Sequence, residues 1–159
     1  MDTTKIVKKI IPIITVILII LLIIFFANLG KENSGIKKVS FTNEEDKSIE
    51  IDVEIADDAE ERTNGLMKRE KLAENTGMLF IFSGENSRSF WMKNMLISLD
   101  IIFLDANRNI VSIANDARPC NNDFCNSYDS GGKAKYVIEV NAGFCEKNGI
   151  KTDTKVEFY

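Results

Sequence analysis

An uncharged apolar block near the N-terminus, Ile10 to Leu29, constrains this chain of 159 residues more than any other feature. Twenty consecutive residues without a charge are enough to cross the hydrocarbon core of a bilayer as a helix of about 30 Å. Pro12 falls in the first turn of such a helix, where a missing backbone donor is tolerated. The block predicts one transmembrane helix, which leaves about 120 residues for a single folded domain.

Basic residues flank this block unequally. Lys5, Lys8 and Lys9 precede it, whereas only Lys31 follows closely, so the positive-inside rule predicts a cytoplasmic N-terminus and an extracytoplasmic C-terminal domain. A cleaved signal peptide is the alternative, but its apolar region is normally about 7 to 15 residues and ends in a small-x-small site. The predicted organisation is residues 1–9 in the cytoplasm, 10–29 in the membrane, 30–36 as a linker and 37–159 as the outer domain.

Composition argues against several classes of function. The chain has no histidine, which removes Ser-His and Cys-His catalysis and histidine-ligated metal sites. After Lys31 there are 16 basic and 23 acidic residues, a balance that repels nucleic acids and anionic headgroups. No glycine-rich phosphate loop or nucleophile motif is recognisable. We therefore expect no nucleic-acid partner, no cofactor and no metal, and an enzyme is the less favoured class.

Strand patterns dominate the outer domain. Ile49 to Ile55 alternates apolar and acidic residues, which predicts a strand with one face on a core. Lys37 to Thr42 is expected to pair with it across the polar turn Asn43–Asp46. Further short strands are predicted over residues 78–82, 89–92, 99–104, 109–114, 134–140 and 155–159.

Two short helices are expected to interrupt these strands. Asp57 or Asp58 can cap the first, which would end at Gly65, and the second would run from Ala142 to Asn148. Close spacing of the strands predicts a mainly β fold: a compact antiparallel sandwich or barrel-like domain, preceded by one transmembrane helix.

Polar residues within an apolar run mark the candidate site. Ser89 to Asp105 contains Lys93, Asn94 and Asp100, and buried amides and charges cost several kcal/mol unless they are partnered. If residues 89–92 and 99–104 are neighbouring strands, they form a hairpin with Lys93 and Asn94 at its tip. The ligand-binding candidates are Lys93, Asn94, Asp100, Trp91, Met67 and Met92.

A structural interpretation of the same residues stays open. Asn94 could fix the loop, and Asp100 could cap backbone donors or pair with Lys93. Trp91 is either a core residue or, if exposed beside Tyr128, a platform for stacking on a sugar ring.

The cysteines suggest a local cross-link. Cys120 and Cys125 lie in a long polar loop, and an outward-facing domain is in an oxidising compartment in most organisms, so a disulfide is the first interpretation. Two reduced cysteines and a metal site are the alternatives, as is calcium bound by the loop's Asp and Asn oxygens. Cys145, in the second predicted helix, is expected to be a buried free thiol.

Seven short segments of the outer domain form a recognisable series: residues 62–69, 77–80, 90–94, 99–105, 119–125, 136–140 and 149–151. Together they resemble a known family, the domain of unknown function 192. The resemblance covers nearly everything from about Lys37 to Phe158. It implies a small, mostly β extracytoplasmic domain without an established activity. Met95, Ser98 and Asn126 depart from the usual pattern of the family.

Three functions are consistent with these observations. The favoured one is a membrane-anchored binding or accessory module for a small polar ligand, a glycan or an envelope partner. The second is a hydrolase that uses two carboxylates, Asp100 with Asp105 or Glu139, although alternation puts Asp100 and Asp105 on opposite sides of one strand. The third is a purely structural envelope protein.

Overall fold

The structure is a computed structural model and describes residues 14–23, 37–122 and 124–159. The chain divides into two compact units, Met1–Ser34 and Gly35–Tyr159. In the first unit residues 14–23 form a helix, α1, whose side chains are exposed. Among the described residues no helix is both long and apolar enough to span a bilayer. The rest of the predicted span, the cytoplasmic segment and the linker lie outside the described residues.

The second unit is a seven-stranded sheet that curls into a half-barrel. Its elements are β1 (Lys38–Thr42), β2 (Ser48–Ala56), α2 (Ala59–Asn64), β3 (Thr76–Trp91), β4 (Leu99–Leu104), β5 (Ile110–Ala117), β6 (Ser127–Asn141), α3 (Phe144–Asn148) and β7 (Lys155–Phe158). The strand order is β5–β4–β6–β3–β2–β1–β7. The predicted mainly β class is confirmed, but the strands form one sheet and not two packed sheets.

Local predictions hold where a turn or a cap encodes the structure. β1 and β2 pair as the predicted antiparallel hairpin, and Asn43 Oδ1 accepts from the amides of Glu45 and Lys47 to shape its turn. Asp58 caps α2 by accepting from Glu61 N at 2.7 Å. Gly149, at φ 66°, ends α3 in the left-handed conformation expected of a C-terminal glycine.

The predicted pairing of residues 89–92 with 99–104 is wrong. Residues 78–82 and 89–91 belong to one long strand, β3, which is bent by register shifts between Ile81 and Ser89, and Met92 follows its end. β6 lies between β3 and β4 and hydrogen-bonds to both, so β3 and β4 are not neighbours. The β2–β3 pair is also parallel, because α2 and the segment after it provide the crossover that a parallel pair requires.

Alternation along β6 divides the apolar residues between two faces of the sheet. Ile138 and Val140 belong to a cluster that we term the first core, and Val137 belongs to another, the second core. The first core comprises buried Val39, Phe41, Ile51, Leu79, Ile102, Leu104, Ile110, Ile138, Val140, Phe144, Cys145, Ile150 and Val156. The second comprises buried Ala56, Leu66, Met78, Phe80, Met92, Met95, Leu99, Ile101, Phe103, Ala117, Ala134 and Val137.

Close approach between β3 and β6 requires a glycine at position 77. A Cβ atom placed there would lie 2.6 Å from the backbone oxygen of Glu139, which is nearer than real Cβ contacts. We therefore expect Gly77→Ala to force the two strands apart and lower the unfolding free energy by about 1–3 kcal/mol.

Gly84 in the same strand is the matched control for this substitution. It has no neighbouring atom within 4 Å of its Cβ position, so Gly84→Ala should change stability far less. Thermal unfolding of both variants measures the difference, and equal effects would contradict the close approach.

Candidate functional site

Asp100 lies on the first-core face and has a structural role. Its side chain is fully buried, with Oδ1 accepting from Asp116 N at 3.0 Å and Oδ2 from Cys145 N at 2.9 Å. The carboxylate therefore ties β4 to the end of β5 and to α3. It forms no ion pair with Lys93 among the described residues. A pocket of about 420 Å³ opens beside it, lined in part by Cys145 and Lys151.

The other predicted ligand residues fall into two groups. Asn94 Nδ2 lies 3.9 Å from Met67 Sδ, and Met92 is buried in the second core. Trp91 is 51% exposed, and Lys93 Nζ lies 5.8 Å from the centre of its ring. Alternation along the chain directs Trp91 away from the face that contains Met92. The structure therefore does not bring all six candidates together.

The proposed sugar platform lacks its second ring. Tyr128 pairs in register with Phe90, whereas Trp91 pairs with Ser127. Residues that are directly opposite share a face and successive residues alternate, so Tyr128 and Trp91 point to opposite sides of the sheet. Tyr128 therefore cannot stack on the same sugar ring as Trp91.

The loop between β5 and β6 is closed by a disulfide. Cys120 and Cys125 are bonded, with their Cα atoms 5.7 Å apart, and Cys120 N donates to Met92 O at 2.9 Å. The loop is thereby attached to the end of β3. Cys145 is a buried free thiol, and burial raises its pKa far above the usual range. The described residues contain no grouping of three His, Cys, Asp or Glu side chains that could hold a metal.

Glu139 is the unexplained polar residue of the fold. It is 5% exposed and pairs in register with Met78 on one side and Ile101 on the other, both of which belong to the second core. Its Oε2 atom is buried without a hydrogen-bond partner among the described residues. Burial raises the pKa of this carboxyl to about 8, so Glu139 is mostly neutral at pH 7.

A short loop after α2 covers Glu139. A Cβ atom at Gly65 would lie 3.9 Å from Glu139 Oε2 and 3.2 Å from the Phe80 ring, and Gly65 has φ 47°, so a glycine suits this position on both counts. Two residues later Met67 contacts Asn94. The loop thus runs from above Glu139 to the chain that follows β3.

Hydrogen bonds from Arg62 and Lys68 also hold the loop in this place. Arg62 Nη1 donates to Asp57 O and, at 2.9 Å, to Ile81 O, which fastens α2 to β3. Lys68 N donates to Asn94 O at 2.9 Å. The loop is therefore anchored at both ends over the second core.

Neither carboxylate pair suggested for a hydrolase is formed. Asp100 pairs in register with Val140 and shares its first-core face, whereas Glu139 lies on the other face. Asp105 lies in the β4–β5 turn, where its Oδ1 accepts from the amides of Asn107 and Asn109. Two carboxylates on opposite faces cannot act together on one bond.

Sequence reasoning considered Glu139 only as a partner for Asp100. The signal that could have singled it out is its position as the one acid within the apolar strand segment Tyr136–Val140. A strand whose two faces both meet a core has no solvated side for a carboxylate. The sequence alone does not show that β6 is a central strand with a core on both faces, so the unusual position of Glu139 could not be recognised from it.

Comparisons with known proteins agree with this architecture. Residues 40–158 match the DUF192 family, which is described as an uncharacterized ACR. A UPF0127 protein of Thermococcus sibiricus is 38% identical over 111 residues, covering 66% of this chain and 67% of that protein.

Two crystal structures are similar in fold and sequence. One, from Sinorhizobium meliloti and described as a "putative transcription regulator", has a TM-score of 0.73 and 30% identity, covering 78% of this chain and 94% of that one. The other, a protein of unknown function from Novosphingobium aromaticivorans, has a TM-score of 0.71 and 33% identity, covering 79% of this chain and 89% of that one.

The raised pKa of Glu139 predicts how stability depends on pH. The folded state keeps the proton up to about pH 8, whereas a carboxyl at its ordinary value loses it near 4.5. Between these values the folded state binds more protons than the unfolded state, so Glu139 makes stability fall as pH rises, by up to about 1.4 kcal/mol per unit.

Glu139→Gln tests this dependence because glutamine stays neutral at every pH. The variant should gain stability relative to the wild type as pH rises from 5 to 8, measured by chemical denaturation at each pH. Glu44→Gln, in the exposed β1–β2 turn, controls for the loss of one charge. A constant difference between Glu139→Gln and the wild type would contradict the burial of an unpartnered carboxyl.

Proposed function

The chain belongs to the DUF192 family, and from this premise we propose that its second unit is a membrane-tethered module that binds a small ligand at Glu139. The observation that carries the proposal is the buried, unpartnered Oε2 atom of this residue. Leaving a buried polar atom unpartnered costs about 1–3 kcal/mol, and such groups are rare unless they have a use. A ligand that hydrogen-bonds or coordinates this oxygen would remove that cost.

The proposed route to Glu139 runs beside the covering loop. Met67 is half-buried and Asn94 is exposed, and these two residues meet through a weak amide–sulfur contact at 3.9 Å. A small displacement of Met67 would open the second core towards Glu139. Asn94 would then offer a polar group at the rim, in keeping with its selection as a ligand-binding candidate.

The alternatives are less well supported. The separation of Asp100, Asp105 and Glu139 argues against a two-carboxylate hydrolase. A purely structural role accounts for Asp100, whose two oxygens both accept hydrogen bonds from backbone amides. It does not explain why Glu139 is buried without a partner. One similar structure is described as a transcription regulator, which suggests DNA as a ligand. The chain after Lys31 has 16 basic and 23 acidic residues, and this net negative charge would repel the DNA backbone.

Trp91 supports a second binding function on the opposite side of the sheet. Its ring is 51% exposed and lies 5.8 Å from the ammonium of Lys93. An exposed aromatic ring beside a hydrogen-bond donor is the arrangement on which sugar rings stack. A glycan at Trp91 would occupy a different surface from a ligand at Glu139, so the two functions can be tested separately.

Membrane tethering is proposed from the sequence. The block Ile10–Leu29 is uncharged, and the apolar side chains of α1 that it contains are about half exposed, which is unfavourable in water but not in lipid. The three lysines before the block orient the N-terminus to the cytoplasm. The second unit would then lie outside the membrane, where its disulfide is stable.

Thermal shift of the full chain in detergent micelles tests the binding function. The panel comprises small amines, amides, monosaccharides and metal salts. At least one compound should raise the Tm of the wild type and leave that of Glu139→Gln unchanged, because binding to the folded state stabilises it. Trp91→Ala should abolish only shifts caused by sugars. A panel in which no compound depends on Glu139 would contradict the proposal.

Alkaline carbonate extraction of cell membranes tests the tether. The full-length chain should stay in the membrane pellet at its uncleaved mass. Ile19→Lys with Leu21→Lys should release it, because each lysine near a helix centre opposes insertion by about 2.5–3.5 kcal/mol. Ile19→Leu with Leu21→Ile is the matched control. Recovery of the wild type in the supernatant, or at a cleaved mass, would contradict the tether.

A further inference from the structure

Methionines are confined to one side of the sheet. All four methionines among the described residues belong to the second core: Met78, Met92 and Met95 are buried within it, and Met67 packs at its edge. The first core, of similar size, is built from isoleucine, leucine, valine, phenylalanine and one cysteine, Cys145, and contains no methionine among the described residues. Methionine used only to fill gaps would be expected in either core.

Met78 lies beside Glu139 in the sheet, and the other three methionines lie on the covering loop and on the chain that follows β3. Met78 is directly opposite Glu139 in the β3–β6 pair, and side chains in this relation have Cβ atoms about 4.5–5.5 Å apart. Gly65, 3.9 Å from Glu139 Oε2 at its Cβ position, leads two residues later to Met67. Met67 contacts Asn94, whose neighbour Met95 donates its backbone amide to Met92 O at 3.3 Å.

The chemistry of these donors selects a particular class of ion. Thioether sulfur is a soft ligand that prefers soft monovalent ions such as Cu(I), whereas Ca²⁺ and Mg²⁺ require several oxygen ligands. Glu139 Oε2 has no other partner among the described residues. When the carboxyl releases its proton to solvent as the ion binds, this oxygen becomes a negatively charged ligand. Such an ion is small enough to enter a packed core, and the surrounding apolar side chains would keep water from it.

We propose that the second core binds one soft monovalent metal ion, of the Cu(I) and Ag(I) class, through the thioethers around Glu139. This inference rests on the proposed binding function and specifies its ligand. The sequence analysis led us to expect no metal, because the chain has no histidine. The absence of histidine excludes the common metal sites, but it does not exclude a site made of methionine thioethers. Met67 and Asn94, at the edge, form the route by which the ion enters.

Silver nitrate is the probe, because Ag(I) needs no reducing agent, and chloride-free buffer keeps it in solution. The full chain in micelles carries Cys145→Ala, which removes the free thiol on the other core as a competing ligand. Isothermal titration should give one Ag(I) per chain. In NMR spectra the ε-methyl resonances of Met67, Met78, Met92 and Met95 should shift, whereas that of Met1 stays.

Met78→Leu with Met92→Leu removes two sulfurs while conserving side-chain volume, and should weaken silver binding at least tenfold. Ile101→Leu, in the same core, is the matched control and should bind as tightly as the parent. If the double variant does not fold, Met67→Leu at the half-buried edge replaces it, with the same expected direction.

Two results would overturn the metal site. One is the absence of stoichiometric silver binding, and the other is binding of undiminished affinity in the methionine variants. In either case a compound of another class that stabilises the chain through Glu139 would leave the proposed binding function standing. If no compound does so, both proposals fall together.

Discussion

The pairing of β6 with both β3 and β4 is the interaction on which the rest of the structure depends. β6 hydrogen-bonds to β3 over most of its length and to β4 from Tyr136 to Asn141. A strand with partners on both edges and apolar clusters on both faces must present its side chains alternately to two cores. This alternation places Val137 in the second core and Ile138 in the first, and it decides where each polar residue lies.

Two buried acids occupy opposite faces of this sheet and illustrate opposite outcomes of burial. Asp100 accepts one backbone amide on each oxygen, so both of its oxygens are partnered and it joins β4, β5 and α3. Glu139 has no partner for Oε2, so burial drives its pKa up to about 8. The first acid completes the fold. The second leaves a free coordination position within a methionine-rich core, which is why the functional proposals converge on it.

Local features of the sequence predicted much of the fold. The alternation of Ile49–Ile55, the turn at Asn43 and the caps at Asp58 and Gly149 all encode short-range geometry, and the corresponding elements formed as expected. Long-range pairing was not encoded in this way. Nothing in the run from Ser89 to Asp105 indicates that β6, more than twenty residues later, separates its two strands. The predicted site therefore gathered residues that the sheet distributes over two faces, and it missed Glu139.

The central claim is that Glu139 is buried without a partner and stays protonated near neutral pH. Titration of its side-chain carboxyl carbon by ¹³C NMR, in the full chain in micelles, tests this claim most directly. We expect a midpoint near pH 8. A midpoint near 4.5, the ordinary value for glutamate, would mean that the carboxyl is solvated or paired, and would contradict the account.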